Sequence, residues 1–354
     1  MKILYGIQTT GHGHIVRGRA MVKELIRQGH TVHIILSGPP LNDNWIPDYF
    51  ENYEHLKGLT YIIENGRINI PKTAKMLDVT QFIHDIVKYE PKNYDLVVTD
   101  YEPISSRFAQ LNKIPSIGIG HLYAFVHKVP LPTVPNPLHI LIMRYFAPAN
   151  YPIGLHWHHF NASILPPTIP PDVHNADSIQ KNKIIVYLHF EAMQDIIDLC
   201  SPFPNYDFYV YYPVDEPFDR GNIHFRPLSR DNFQRDLSDS SGVIANSGFS
   251  LSSEAIHLGK KLLAKPVAHQ TEQEANASAL QELNIGRVMK EIDRDIVDQW
   301  LNDPPPKPAG YPDSFVDIAE WIGRGNWENT DDLVQRLWAQ TNHMPSFEPK
   351  KLLP

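Results

Sequence analysis

A turn rich in glycine and histidine is the first segment able to do chemistry. Gly11, His12, Gly13 and His14 follow an apolar strand-like run, Lys2 to Ile7. In open α/β sheets ligands bind at the carboxyl ends of strands, and glycines there let the backbone approach a ligand. A histidine titrates near neutrality and can accept a proton from an alcohol. The turn therefore indicates an acid–base site, or a histidine that only caps or fills the turn.

The spacing of these glycines disfavours a dinucleotide as the ligand. After Gly13 the next glycine is Gly18, which is too late for the G-x-G-x-x-G fingerprint. The second strand-like run, Thr31 to Leu36, ends in Ser37 and not in the acidic residue that binds a ribose in such sites.

Asp100 is a candidate partner for a histidine base. It follows the strand-like run Asp95 to Thr99, so it lies at the carboxyl end of a strand, as the first turn does. A base needs a carboxylate to hold its tautomer and orientation. The alternative is that Asp100 caps a helix beginning near Pro103. His121 ends the next strand and would either line an acceptor pocket or merely terminate that strand.

A second candidate site lies at residues 242–254, which have the pattern of strand, turn and helix. Gly248 frees the backbone of the turn, and the helix N-terminus can bind a diphosphate through its N–H groups and dipole. The hydroxyls of this turn belong to Ser247, Ser250 and Ser252. Glu254 lies about one helical turn further on, where it could accept hydrogen bonds from a ribose diol. The alternative is ordinary capping by the serines and a first-turn charge at Glu254.

Alternating strands and helices must position both sites. In the first half the predicted strands are Lys2–Ile7, Thr31–Leu36, Leu59–Ile63, Asp95–Thr99 and Pro115–Ile119, and the predicted helices are Ile15–Arg27, Ala74–Tyr89 and Ile104–Leu111. The alternation restarts at Lys183. This pattern predicts an α/β fold with two Rossmann-like domains built on parallel sheets. The predicted division is a first domain at 1–165, a proline-rich linker at 166–182, a second domain at 183–315 and C-terminal helices at 316–354 that return toward the first domain.

Composition excludes several classes of function. A length of 354 residues fits two domains, and a net charge of −8 argues against nucleic acid as a partner. The single cysteine, Cys200, rules out internal disulfides and fits a reducing compartment. Neither a signal peptide nor a membrane span is expected, so we expect a cytoplasmic protein. The apolar run Leu138 to Phe146 is either a core helix or a peripheral membrane contact.

The motif Gly11-x-Gly13-His14-x-x-Arg17 resembles the GT-B glycosyltransferases, and in particular a bacterial and archaeal group with a G-x-G-H-x-x-R signature. That group is similar to the UDP-glycosyltransferases and to the UDP-N-acetylglucosamine transferase of peptidoglycan synthesis. The resemblance implies that His14 is the general base and that Asp100 is its partner. It leaves Arg17 to contact an anion or a carboxylate of the opposite domain, or to be an ordinary solvated or paired arginine.

The segment from Ser247 to Asn276 resembles the nucleotide-sugar signature of the same enzymes: a small-residue turn, a glutamate, a glycine, a strand, a Glu-Gln pair and an asparagine. The resemblance implies that Glu254 binds ribose and that Glu272 and Gln273 bind sugar hydroxyls. The donor contacts that it implies are Gly13, Arg17, Phe225, Arg226, Leu228, Ser247, Gly248, Phe249, Ser250, Ser252, Glu254, Glu272 and Gln273. The sequence departs from relatives at Asn246, where plant-type enzymes have histidine.

These features together imply a GT-B fold whose two domains face each other across a cleft, the first domain binding the acceptor and the second binding the nucleotide sugar. The expected reaction moves a sugar from a nucleotide diphosphate sugar, expected to be a UDP-sugar, to a hydroxyl of a glycan, a lipid-linked or a small-molecule acceptor, with inversion. No cofactor and no metal ion are expected, because helix dipoles and donors can neutralise the diphosphate. The histidines at positions 156–159 are therefore not expected to bind metal. Two alternatives remain open, a UDP-N-acetylglucosamine 2-epimerase and a non-catalytic nucleotide-sugar-binding protein.

Overall fold

The computed structural model describes residues 1–39, 50, 52–60, 62–64, 66–88, 93–131, 141 and 143–347. In this part of the chain two seven-stranded sheets form two halves. The first sheet uses strands between residues 2 and 165, and the second uses strands between residues 180 and 288. Each sheet is covered by helices, as strands linked through helices require.

The strands of the first half are β1 (Lys2–Gln8), β2 (Thr31–Ser37), β3 (Glu54–Leu56), β4 (Ile63–Glu64), β5 (Arg67–Ile68), β6 (Leu96–Asp100), β7 (Ser116–Gly120), β8 (Tyr151–Leu155) and β9 (Ile164–Leu165). The sheet order is β3-β2-β1-β6-β7-β8-β9, and every neighbouring pair is parallel. Strands β4 and β5 form a separate antiparallel hairpin. The central strand β1 is almost wholly buried, which explains its uninterrupted apolar sequence.

The helices of the first half are α1 (His12–Arg27), α2 (Ile70–Met76), α3 (Val79–Lys88) and α4 (Pro103–Asn112), with a 3-10 helix at His121–Val126. Two sequence predictions are wrong. The strand predicted at Leu59–Ile63 is not one, since the edge strand is β3 and, of the residues described in that range, only Ile63 pairs, in the hairpin. The helix predicted at Ala74–Tyr89 is split, because Leu77 is extended and the Asp78 side chain accepts from the Gln81 N–H, starting a new helix. Tyr89 lies outside the described residues.

The second half has strands β10 (Gln180–Tyr187), β11 (Asp207–Tyr211), β12 (Phe218–Arg220), β13 (Ile223–Arg226), β14 (Ser240–Asn246), β15 (Lys261–Lys265) and β16 (Arg287–Val288). Their order is β12-β13-β11-β10-β14-β15-β16, and β12 alone among them is antiparallel. The helices are α5 (Met193–Cys200), α6 (Arg230–Asp239), α7 (Phe249–Leu258), α8 (Thr271–Glu282) and α9 (Arg294–Leu301).

The last two helices, α10 (Phe315–Arg324) and α11 (Asp331–Ala339), pack against the first half. Gln28 donates to the carbonyl of Val316 at 3.4 Å, and the Trp338 indole donates to the carbonyl of Ile164 at 2.7 Å. Between the sheets the chain runs from β9 to β10 through a segment that overlaps the predicted linker. Those domain boundaries stay predictions.

Within the described residues no helix is both long enough and apolar enough to cross a membrane. Of the run Leu138–Phe146, whose role as a core helix or membrane contact was left open, the structure describes residues 141 and 143–146. Met143 is buried, whereas Leu141 and Tyr145 are exposed.

Candidate active site

His14, Asp100 and Arg17 meet at the carboxyl edge of the first sheet. Strand β6 pairs with β1 so that Asp100 lies opposite Ile7, just before the turn that leads into α1. His14 Nδ1 lies 2.9 Å from Asp100 Oδ1. Arg17 donates from Nε to Oδ2 at 2.8 Å and from Nη2 to Oδ1 at 2.5 Å. The His14 side chain is 20% exposed, whereas the carboxylate is fully buried. The structure therefore brings the predicted dyad together.

The Asp100 carboxylate is held in its charged form. Burial alone would raise its pKa, but the opposing attraction of Arg17 and His14 is stronger, so the pKa is lowered. The alternative role of Asp100 as a helix cap is excluded, because Glu102 caps α4 by accepting from the backbone N–H groups of Ile104 and Ser105. The residue that follows Asp100, Tyr101, has a left-handed φ of 57°.

Of the alternatives left open for Arg17, the structure shows a paired arginine. Its partner, Asp100, lies in the same half. Arg17 is buried, and its pKa is raised because Asp100 outweighs the opposing effect of burial. The more distant Glu272 of the second half adds to this increase. A guanidinium bound twice by Asp100 is a positioning group for that carboxylate. Contact between Arg17 and a donor stays a prediction.

The first turns of α1 and α7 touch each other across the cleft. A Cβ placed on Gly13 would lie 2.1 Å from Ser250 Oγ, so only glycine fits at this position. Neither helix has a side-chain cap: Gly11 and Gly248 occupy the two N-cap positions, and no acidic residue stands in either first turn. Two helix N-termini with uncapped N–H groups therefore face one narrow region beside His14, which favours an anion there.

The turn before α7 has open space beside Gly248 and buried hydroxyls at Ser247 and Ser252. Nothing lies within 4 Å of a Cβ built on Gly248, which leaves room for a ligand at the helix N-terminus. The Ser247 hydroxyl is already used within the protein, because it donates to the carbonyl of Gln273 at 2.8 Å. Ser252 is fully buried, and its hydroxyl has no hydrogen-bond partner among the described residues. Of the predicted phosphate contacts, Gly248 and the free N–H groups best fit that role.

Glu254 lies at the centre of a buried polar network. It accepts from Arg230 Nη1 at 3.0 Å and from Gln234 Nε2 at 2.8 Å. Arg230 also binds Asp172 through Nε at 2.9 Å. Burial opposes the charge of Arg230, but the attraction of Glu254 and Asp172 prevails and raises its pKa. The sequence did not indicate Arg230, Gln234 or Asp172, because their contacts with Glu254 arise only on folding.

The Glu-Gln pair at the start of α8 is arranged by the preceding loop. Gln273 accepts from the Val267 N–H through Oε1 at 3.0 Å. Asn276 donates to the carbonyl of Ser247 at 2.8 Å and so ties α8 to the turn before α7. Glu272 is half-buried, and its carboxylate accepts from Gln270 at 3.4 Å. The structure thus brings the pair to the carboxyl edge of the second sheet, with Gln273 partly committed to the backbone.

His121 joins the two halves and does not line an open pocket. Its Nδ1 lies 2.9 Å from the Leu155 carbonyl, its Nε2 lies 2.5 Å from Asn276 Oδ1, and burial lowers its pKa. The ring stacks on Phe249 with a centroid distance of 4.0 Å, and Trp157 stacks on the same phenyl ring at 5.3 Å. The prediction of His121 as an acceptor contact is not supported by this arrangement, because both ring nitrogens are already occupied.

Of the predicted donor contacts, Phe225, Arg226 and Leu228 would meet the nucleobase, and their backbone is available only in part. The Phe225 side chain is buried and stacks on Phe218. The Phe225 carbonyl accepts from Arg226 Nη1 at 2.9 Å, and the Arg226 carbonyl accepts from the Tyr212 N–H at 3.1 Å. The backbone at Leu228, beyond the end of β13, is therefore the better candidate for binding the nucleobase of the donor.

His12, the other histidine of the first turn, also reaches across the cleft. Its Nδ1 lies 2.9 Å from the Tyr187 hydroxyl at the end of β10. Of the histidines at positions 156–159, His156, His158 and His159 each receive a backbone N–H at Nδ1. In the described part of the chain no group of three or more His, Cys, Asp or Glu residues is placed to hold a metal ion.

The family model for glycosyl transferase family 1 matches residues 1–305. The chain belongs to that family. This glycosyltransferase has no match among curated proteins. Its structure resembles the kitacinnamycin glycotransferase (TM-score 0.57, 12% identity, covering 96% of this chain and 99% of that one). It also resembles SsfS6 of Streptomyces sp. SF2575 complexed with thymidine diphosphate (0.56, 13%, 98% and 96%) and MurG of Acinetobacter baumannii (0.53, 13%, 95% and 99%). At such identities these neighbours establish the fold, which is GT-B as predicted.

Proposed function

We propose that this glycosyltransferase moves a sugar from a nucleotide diphosphate sugar to an acceptor hydroxyl, with His14 as the base and with inversion at the anomeric carbon. The observation that carries the proposal is the meeting of two features. The His14–Asp100 pair stands on one side of the cleft, and the uncapped N-terminus of α7 stands on the other. Contact between Gly13 and Ser250 places them next to each other.

The geometry of His14 suits a base. His14 Nδ1 lies 2.9 Å from Asp100 Oδ1 and 3.1 Å from Arg17 Nη2. Because Arg17 Nη2 already donates to Asp100, we assign the proton to His14 Nδ1, which then donates to the carboxylate. That tautomer makes Nε2 an acceptor, and no described residue forms a hydrogen bond with this nitrogen. Asp100 would also stabilise the imidazolium once it forms. Arg17 keeps Asp100 ionised and in place.

In this proposal the second half binds the donor and stabilises the leaving group. The diphosphate would lie at the N-terminus of α7, against the open side of Gly248, and Glu254 would accept from the ribose. In the proposed step the acceptor hydroxyl gives its proton to His14 Nε2 while its oxygen forms a bond to the anomeric carbon. The bond between that carbon and the diphosphate oxygen breaks, and its electron pair leaves with the diphosphate. Helix N–H groups stabilise the charge that develops there, so the step needs no cofactor and no metal ion.

A uridine diphosphate sugar remains our first choice of donor. SsfS6 was solved with thymidine diphosphate, so thymidine donors deserve equal testing. The two bases differ by one methyl group, and the backbone near Leu228 offers no described group that separates them.

The test is a thermal-shift and calorimetric screen with UDP, dTDP and GDP sugars, followed by NMR of the anomeric configuration of the product. We expect binding of a uridine or thymidine diphosphate sugar and inverted product. Absence of any shift would contradict the donor site. Retained configuration would contradict the single displacement. Interconversion of the donor at C2 without transfer would favour the epimerase alternative.

A further inference from the structure

The β4–β5 hairpin crosses from the first half to the second. We call this segment, residues 63–64 and 66–68, the strap. It lies outside both large sheets, and its base is joined to α2, where Asn69 caps the helix and donates to Glu64 Oε2 at 2.8 Å. Lys72 pairs with the same carboxylate. These contacts fix the orientation of the strap relative to α2.

The strap binds two loops of the second half through backbone hydrogen bonds. The Gly66 N–H donates to the Phe190 carbonyl at 2.7 Å, and the Gly66 carbonyl accepts from the Ala268 N–H at 2.7 Å. The Ile68 N–H donates to the Ala268 carbonyl at 3.3 Å, and Arg67 forms a parallel bridge with Ala268. Both polar backbone groups of Gly66 are therefore used across the cleft.

The strap rests on a buried ion pair at the carboxyl edge of the second sheet. Glu191 accepts from Lys265 Nζ at 3.0 Å and from Asn246 Nδ2 at 3.4 Å. Asn246 and Lys265 are the paired last residues of β14 and β15. A Cβ on Gly66 would lie 2.4 Å from a Glu191 carboxylate oxygen, and the φ of Gly66 is 67°. Shape and backbone conformation both require glycine at this position.

The loop that the strap holds leads directly into α8. Ala268 follows Val267, whose N–H binds the Gln273 side chain. Gln270 then caps α8 by accepting from the Gln273 N–H. Any movement of the loop therefore moves the side chains at the start of α8, including Glu272.

We propose that the strap makes the first half part of the donor-sugar site, and that Gly66 is the positioning residue that sets Glu272 and Gln273 for the sugar. The inference rests on the proposed donor site. The strap would act on affinity for the sugar-bearing donor and much less on the nucleotide alone, because its contacts lie on the sugar side of α8 and not at β13.

The experiment compares Gly66→Ala with Gly221→Ala. Gly221 also has a left-handed φ, 62°, but a Cβ there meets nothing within 4 Å, so the control carries the backbone strain without the clash. Hydrogen exchange of the Ala268 amide is measured without any ligand, and KM and kcat are measured with the donor sugar. We expect Gly66→Ala to speed Ala268 exchange about tenfold or more and to raise the donor KM more than it lowers kcat. Gly221→Ala should change neither, and UDP affinity should stay close to wild type in both.

Unchanged exchange at Ala268 would show that the strap is not bound in solution and would overturn the proposal. Faster exchange with an unchanged donor KM would overturn its role at the sugar. If the wild type bound no nucleotide sugar, the proposed function would fail, while the exchange result would still report on the strap. Protected amides in β6 show that a variant is folded. If Gly66→Ala does not fold, Ala268→Pro removes one of the same hydrogen bonds from the other side, with exchange measured at Gly66.

Discussion

Each half of the molecule has a buried carboxylate held by an arginine, but the two carboxylates differ in their other partner. Asp100 shares its oxygens between Arg17 and His14, and that imidazole is partly exposed to the cleft. Glu254 shares its oxygens between Arg230 and Gln234, neither of which changes charge near neutral pH. This difference is why we propose chemistry at the first carboxylate, through His14, and recognition of the donor at the second.

The largest expected effect follows from His14→Ala. Loss of the base should lower kcat by about 10²–10⁴-fold, because general base catalysis contributes on that order. Donor affinity measured by calorimetry should stay near wild type. His12→Ala is the matched control in the same turn and should cost far less. Wild-type turnover in His14→Ala would show that the chemistry does not lie in the first half.

The Asp100→Asn substitution should destabilise the protein by about 3–5 kcal/mol, since it leaves the Arg17 guanidinium buried and without its charge partner. The midpoint of urea unfolding measures this. Asp303→Asn removes the partner of Arg287 in an ion pair that is about one-third exposed, and it should cost less than about 1 kcal/mol. Equal losses of unfolding free energy in both variants would mean that burial does not make the Asp100–Arg17 pair more important for stability than the Asp303–Arg287 pair.

A related effect appears in acid. The pKa of Asp100 is lower in the folded protein than its unfolded value of about 3.9. The unfolded chain therefore takes up the proton first, so this contribution to stability is present above about pH 4 and is lost as the pH falls toward the folded pKa. Between about pH 5 and about pH 3, wild-type stability should fall more steeply than that of Asp100→Asn. Parallel curves would contradict the assigned shift.

In the second half, Glu254→Gln should raise the donor KM about tenfold or more, since one charged hydrogen bond contributes roughly 1.5–3 kcal/mol. The value of kcat at saturating donor should change little, because this carboxylate is assigned to binding. Calorimetric titration with UDP, in which no turnover occurs, should show the same loss of affinity. A large fall in kcat with unchanged KM would assign chemistry to the second half as well.

The smallest effect tests the contact between the halves. Phe249→Leu keeps most of the apolar volume but removes the ring stacked on His121, at a cost of about 0.5–1.5 kcal/mol. Phe218→Leu removes a similar stack on Phe225 within the second half. Only Phe249→Leu should also raise the donor KM, because α7 loses one of its links to the first half. An equal rise in both variants would mean that the link does not position α7.

Local pattern and parallel topology were enough to predict much of this architecture. Long amphipathic helices and buried strands show their period directly, and the carboxyl ends of neighbouring parallel strands must share an edge. This reasoning predicted that Asp100 would lie beside the turn containing His14. Edge strands such as β9 and β16 are two residues long and leave no period to detect. The break between α2 and α3 depends on one capping side chain, Asp78, inside an otherwise helical pattern.

The order of strands, turns and helices, and the residues that stand at their ends, belong to the sequence, because spacing and residue type act over a few neighbours. The partners of the buried charged groups could not be predicted from the sequence in this way. Arg17 binds Asp100 in its own half, Arg230 joins Glu254 to Asp172, and Gly66 binds Ala268, across separations that no local pattern records. Within one half such contacts depend on how helices pack on their own sheet, and at Gly66 they depend on how the two halves are placed against each other. They are therefore decided only by the tertiary structure.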